Sequence, residues 1–66
     1  MENKIKIFRT IKGFTQDQLA NEIKCTRQTI NAIEKGKYSP SLELAFKLAR
    51  ILDTTIEELF LFESSK

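Results

Sequence analysis

Apolar side chains recur along this chain every three or four residues, with polar turns between the runs, and that rhythm predicts five amphipathic helices. Ile5, Phe8 and Ile11, joined by Ile7, predict a first helix over about Lys4 to Lys12, with Asn3 as its N-cap and Gly13 as its stop. Thr15-Gln16-Asp17-Gln18 reads as a capping box: the Thr15 hydroxyl meets the Gln18 amide and the Gln18 side chain reaches back. Phe14 and Leu19 are spaced as the accompanying hydrophobic staple. A second helix therefore starts at Gln16 and carries Leu19, Ala20 and Ile23 on its apolar stripe. Lys24-Cys25 interrupts it, and Thr26 offers the next cap.

From Arg27 the apolar positions are Ile30 and Ile33 with Ala32 between them, and Gly36 supplies a C-terminal stop, which makes the third helix short and one-sided. Lys35-Gly36-Lys37-Tyr38 is a loop, after which Ser39 is the expected cap and Pro40 the first helical residue. Leu42, Leu44, Ala45, Leu48, Ala49, Ile51 and Leu52 cover a wide face, as a buried central helix requires. Asp53-Thr54 breaks that helix, and a second capping box, Thr55-Ile56-Glu57-Glu58, opens a fifth through Leu59-Phe60. Leu61-Phe62 continue apolar before the polar tail Ser64-Ser65-Lys66. Ile5 and Ile7 alternate with lysines, and Leu61 and Glu63 with phenylalanine, so a small two-stranded ribbon can join the termini. The fold class is all-α, in one domain spanning residues 1–66.

Sixty-six residues bury only about 60% of the surface that the unfolded chain exposes, so stability is expected to be marginal and a dimer interface would add to it. With one cysteine and no histidine there is neither an internal disulfide nor a Cys/His set for a structural metal, and no cofactor is expected. Cys25 reads as a small buried hydrophobe, with a redox sensor as the weaker alternative. Lys4, Lys6 and Arg9 interrupt any signal-peptide run, and nothing approaches the ~18 apolar residues of a membrane span. The expected address is the cytoplasm. The net charge of +2 conceals an asymmetry: ten Lys/Arg against five acids in residues 1–50 leave +5, whereas one lysine against four acids in residues 51–66 leaves −3. A polyanion is drawn to one end of such a molecule and repelled by the other.

Thr26-Arg27-Gln28-Thr29, with Asn31 one turn on, has the chemistry of base-edge readout. Arginine pairs bidentately with guanine O6/N7, glutamine and asparagine with adenine N6/N7, and threonine donates, accepts or packs its methyl on thymine. A helix face built for solubility alone would favour Glu, Lys and Ala. Plainer roles remain open: a solvated charge for Arg27, caps alone for Gln16 and Thr26, and a ring packed on the fourth helix for Tyr38. No convergent pocket of titratable groups emerges, so an enzyme is not expected.

These residues resemble the Cro/repressor-type helix-turn-helix regulators, also called the xenobiotic-response-element family, over roughly Ile5 to Phe60. Within the two-helix unit at about 16–35, Leu19-Ala20 supply the apolar and small pair that the family wants, and Ile23, Cys25, Ile30 and Ile33 its apolar anchors. Glu34-Lys35-Gly36 and the Tyr-Ser-Pro-Ser that follows are similar to the loop before the family's fourth helix. One departure is Lys24, where the family usually has glycine at a position that often needs positive φ. The length matches short stand-alone members of the cytolysin-repressor type, which carry no ligand-sensing domain, so no small-molecule ligand is expected.

The resemblance implies a repressor-like DNA-binding domain whose second motif helix enters the major groove. Arg27, Gln28 and Asn31 would then face bases, with Thr26 and Thr29 reaching either a base or a phosphate. Gln16 would hold a phosphate at a helix N-terminus, and Lys35, Lys37 and Tyr38 would grip the backbone. The implied function is sequence-specific binding of double-stranded DNA as a homodimer on a palindromic operator, repressing a promoter by occupying it. The dimerisation end is expected at about 54–63, through Ile56, Leu59, Phe60, Leu61 and Phe62, more apolar residues than one short helix buries in its own monomer. The alternative is an antitoxin- or immunity-type protein-interaction module on the same fold.

Overall fold

Local capping chemistry decides where the helices begin. In the computed structural model, which describes residues 2–61, the order is α1 (Ile5–Lys12), α2 (Gln16–Ile23), α3 (Arg27–Glu34), α4 (Leu42–Ile51) and α5 (Ile56–Leu59). Both halves of the capping box at α2 form, with the Gln18 amide donating to Thr15 Oγ1 and the Thr15 amide to Gln18 Oε1. Thr26 caps α3 by accepting from the Thr29 amide. Gly13 and Lys24 close α1 and α2 in the left-handed conformation, at φ 82° and 61°.

Three helix starts differ in detail from expectation. Ser41, not Ser39, caps α4, and the helix starts at Leu42 rather than Pro40. The Ser41 backbone is extended and its hydroxyl accepts from the Leu44 amide, which leaves Pro40 in the loop. The box at α5 is half formed: Thr55 accepts from the Glu58 amide, but the Glu58 carboxylate accepts from the Thr54 hydroxyl at 2.8 Å, one residue further back than the reciprocal bond needs. At α1, Lys4 holds the N-cap position with no side-chain bond. Asn3 beside it accepts from the Ile5 amide and donates from Nδ2 to the Ile33 carbonyl at 2.7 Å, tying the start of α1 to the end of α3.

The core joins Ile5 of α1, Leu19, Ala20 and Ile23 of α2, Ile30 and Ile33 of α3, Ala45, Leu48 and Ala49 of α4, and Leu52, Leu59 and Phe60. Ala20 is buried in it, as its place at the helix crossing requires. Cys25 packs partly buried against this cluster, and burial pushes its thiol pKa up, away from the thiolate that redox chemistry requires. The α1 stripe is narrower than its periodicity suggests: Ile7 and Ile11 are exposed, because the position one turn beyond Ile5 belongs to Arg9. On α4, Leu42 is also exposed, having only the loop on its N-terminal side.

The terminal ribbon is reduced to one antiparallel bridge among the described residues, Asn3 with Phe60, flanked by bonds from the Lys4 amide to the Leu59 carbonyl and from the Leu61 amide to the Glu2 carbonyl. Ile5 is helical, so the apparent alternation at the N-terminus is the edge of α1. No helix of the described residues is long and apolar enough to cross a membrane.

Lys24 stands in the left-handed region that the family pattern reserves for glycine, and a side chain with a Cβ is strained there. Lys24→Gly is expected to raise the unfolding free energy by about 1 kcal/mol, the gain from released strain exceeding the entropy of a freer unfolded chain. Urea unfolding of both proteins measures this, and a variant less stable than its parent would contradict it.

Candidate nucleic-acid interface

The third helix is sealed on one side and open on the other. Ile30 and Ile33 are fully buried, and at about 100° per residue Arg27, Asn31 and Gln28 fall together on the opposite arc. Arg27 and Gln28 are exposed and Asn31 is half-buried. Thr29 lies further round, half-buried, with its hydroxyl 3.0 Å from that of Thr26, whose oxygen is also the helix cap. The two threonines bond each other at the helix start, and Thr26 stays exposed beside Arg27, Gln28 and Asn31.

The electrostatics of this end favour an anion. No acidic residue stands in the first turn of α3, so the partial positive charge of its N-terminus and the Arg27 guanidinium add. The ion pairs among the described residues are Arg9–Glu34, Lys12–Asp53 and Lys47–Glu43, and none uses Arg27, Lys35 or Lys37. Lys35, Lys37 and Tyr38 are all exposed beyond the end of α3. A shallow concavity bounded by Arg9, Phe14, Thr15, Gln16 and Arg27, with the Asp17 carboxylate also on its lining, separates the start of α2 from that of α3.

Behind the open face lies a hydrogen-bonded cluster that periodicity does not reveal. Arg9 Nε donates to Glu34 Oε2 at 2.7 Å, with side chains only 13% and 7% exposed. The second guanidinium arm gives a longer bond to Oε1 at 3.4 Å, and the third donates to the Phe14 carbonyl. Gln16, expected at a phosphate, donates from Nε2 to Glu34 Oε1 at 3.0 Å and to Asn31 Oδ1 at 3.3 Å. One cluster thus links α1, the first residue of α2, and both the middle and the end of α3. The available sequence signal was an arginine at a core-facing position of α1, one turn after Ile5.

The expected dimerisation end divides in two. Leu59 and Phe60 are buried in their own fold, because α5 packs on α4 and Phe60 bridges to Asn3, so neither offers interface surface. Ile56 is half-buried, Leu61 is exposed, and Phe62 lies outside the described residues. Apolar surface is also exposed on α4: Phe46, 59% exposed and not among the residues expected on its apolar face, lies one turn from Leu42, 71% exposed, which was expected there. Phe46 and Ile56 share a groove between α4 and α5 whose rim carries Glu43, Lys47, Arg50 and Glu57.

The comparisons agree on one kind of protein. A family model described as helix-turn-helix matches residues 5–59. An uncharacterized HTH-type transcriptional regulator from Methanocaldococcus jannaschii is 48% identical over 66 residues, covering all of both chains. The transcriptional repressor RstR of the cryptic phage CTXphi from Vibrio cholerae is 39% identical over 57 residues, 86% of this chain and 51% of its own. Among solved structures, the restriction-modification controller protein C.AhdI from Aeromonas hydrophila superposes with a TM-score of 0.78 at 35% identity, over 86% of this chain and 83% of the other.

Proposed function

The chain belongs to the helix-turn-helix family, as a transcriptional regulator with a DNA-binding domain, and from that membership we propose that it is a repressor that binds a palindromic operator as a homodimer. The observation that carries the reading is the open arc of α3, where Arg27, Gln28 and Asn31 stand together and no ion pair among the described residues uses Arg27. In the major groove these three read base edges, Arg27 taking guanine. Lys35, Lys37 and Tyr38 hold the phosphate backbone and fix the register of α3 without specifying sequence. Occupation of a promoter then blocks transcription in the cytoplasm, where the duplex is. The resemblance to a phage repressor supports this direction of control.

One recognition helix offers few contacts, so two copies on half-sites about 34 Å apart give the necessary affinity. The surface proposed for the second copy is the α4–α5 groove lined by Phe46 and Ile56, extended by Leu42 one turn before Phe46 on α4, with Leu61 outside it. Its rim has two acids and two bases, Glu43 and Glu57 against Lys47 and Arg50. A rim of mixed sign matches itself under a two-fold axis, whereas a heterologous basic or acidic partner meets half of it with like charge.

Selection from a random duplex pool tests the function: an inverted repeat should emerge, and binding to it should weaken by orders of magnitude between ~50 and ~200 mM salt. Salt-insensitive binding, or no enriched sequence, would favour the protein-interaction alternative. Phe46→Lys should convert the dimer to a monomer in sedimentation equilibrium and leave only half-site recognition. A variant that stayed dimeric would remove the groove from the interface.

A further inference from the structure

The cluster behind α3 determines which atoms of Asn31 can face a base. Glu34, gripped by Arg9 through two guanidinium nitrogens, presents a carboxylate, and a carboxylate only accepts hydrogen bonds. The Gln16 carboxamide 3.0 Å away must therefore turn its NH2 toward Glu34, because its carbonyl oxygen there would face another acceptor. That NH2 has a second hydrogen, directed at Asn31, so Asn31 in turn must offer its carbonyl oxygen, at 3.3 Å. Orientation passes from a largely shielded ion pair through one amide to the next. In a planar carboxamide the Asn31 Nδ2 then points away from Gln16, and no hydrogen bond within the described residues uses it.

We infer that Gln16 is a positioning residue that fixes Asn31 as a hydrogen-bond donor, so that Asn31 selects an acceptor-rich base edge, guanine before thymine, in place of the bidentate adenine contact expected of a free asparagine. This rests on the proposed operator binding. The adenine contact needs the side-chain oxygen to accept from N6 while the nitrogen donates to N7. With the oxygen turned to Gln16, only the donating half remains. Guanine presents two adjacent acceptors, O6 and N7, to such a donor; thymine presents O4 alone; cytosine presents an NH2 that clashes with it. The residue that sets this preference lies on α2, and the pair that holds it spans α1 and α3.

Binding-site selection on three proteins tests the inference. The Asn31→Ala pool identifies the half-site position at which preference disappears. At that position the wild-type pool should hold guanine, favoured about fivefold over adenine, the factor expected of one net hydrogen bond. Gln16→Met keeps the length of the side chain and removes its donors, so Asn31 can turn, and adenine should replace guanine there while the other positions keep their bases. Adenine in the wild-type pool overturns the inference without needing any variant. It is also overturned if Gln16→Met weakens binding uniformly with the consensus unchanged, the result expected of a simple phosphate contact. A wild-type pool with no enriched sequence at all would instead overturn the operator reading beneath it.

Discussion

Arg27→Ala is expected to weaken binding to the selected operator by about 1–3 kcal/mol per half-site, the usual value of a bidentate arginine–guanine contact. A symmetric dimer loses it twice, and contacts a full helical turn apart add, giving about 2–6 kcal/mol, or roughly thirtyfold to twenty-thousandfold in Kd. Fluorescence anisotropy on operator and scrambled duplexes measures both the loss and the relaxed base preference at one position per half-site. The same substitution should not destabilise the free protein. Arg27 is exposed, makes no ion pair among the described residues and opposes the macrodipole in a first turn that lacks acids, so removing it leaves the unfolding midpoint unchanged or slightly raised. Loss of binding without loss of stability separates a reading residue from a structural one. Equal weakening on both duplexes, with a shallower salt slope, would reassign Arg27 to phosphate.

What was legible in the sequence is what local chemistry decides. Thr15 with Gln18, Thr26, Gly13 and Lys24 act within a few residues of themselves, and their caps and left-handed stops form where the pattern placed them. The open face of α3 was legible for the same reason, since Ile30 and Ile33 determine which arc faces outward. Where two local solutions compete, as between Ser39 and Ser41, spacing alone does not choose. Tertiary decisions were hidden. The burial of Leu59 and Phe60 depends on α4 and on the strand-like pairing with Asn3, more than fifty residues earlier in the chain. The exposure of Phe46 likewise reflects what α5 leaves uncovered. Gln16 was legible as a polar residue at a helix start, but its partners lie 15 and 18 residues away, and only the packing of α2 against α3 reveals them.

Glu34→Ala should have the largest effect on folding. It leaves the Arg9 guanidinium, 13% exposed, with the Phe14 carbonyl as its remaining hydrogen-bond partner, and it removes the acceptor that orients Gln16. Breaking one side of a buried pair costs about 3–5 kcal/mol, because the other charge stays desolvated. The total stability of a 66-residue domain is about 3–10 kcal/mol. The variant should therefore be largely or wholly unfolded near room temperature, as read by circular dichroism during urea titration. The double variant Arg9→Met, Glu34→Leu removes both charges at similar volume and should recover most of that stability, since a well-packed apolar pair replaces an ion pair at little cost. Recovery should not extend to base choice: with no carboxylate to direct Gln16, Asn31 is free to turn, and the double variant should fold while reading its base position as Gln16→Met does. A Glu34→Ala cost below about 1 kcal/mol, the value of a solvated pair, would show instead that water reaches Arg9 and that the cluster does not hold the helices.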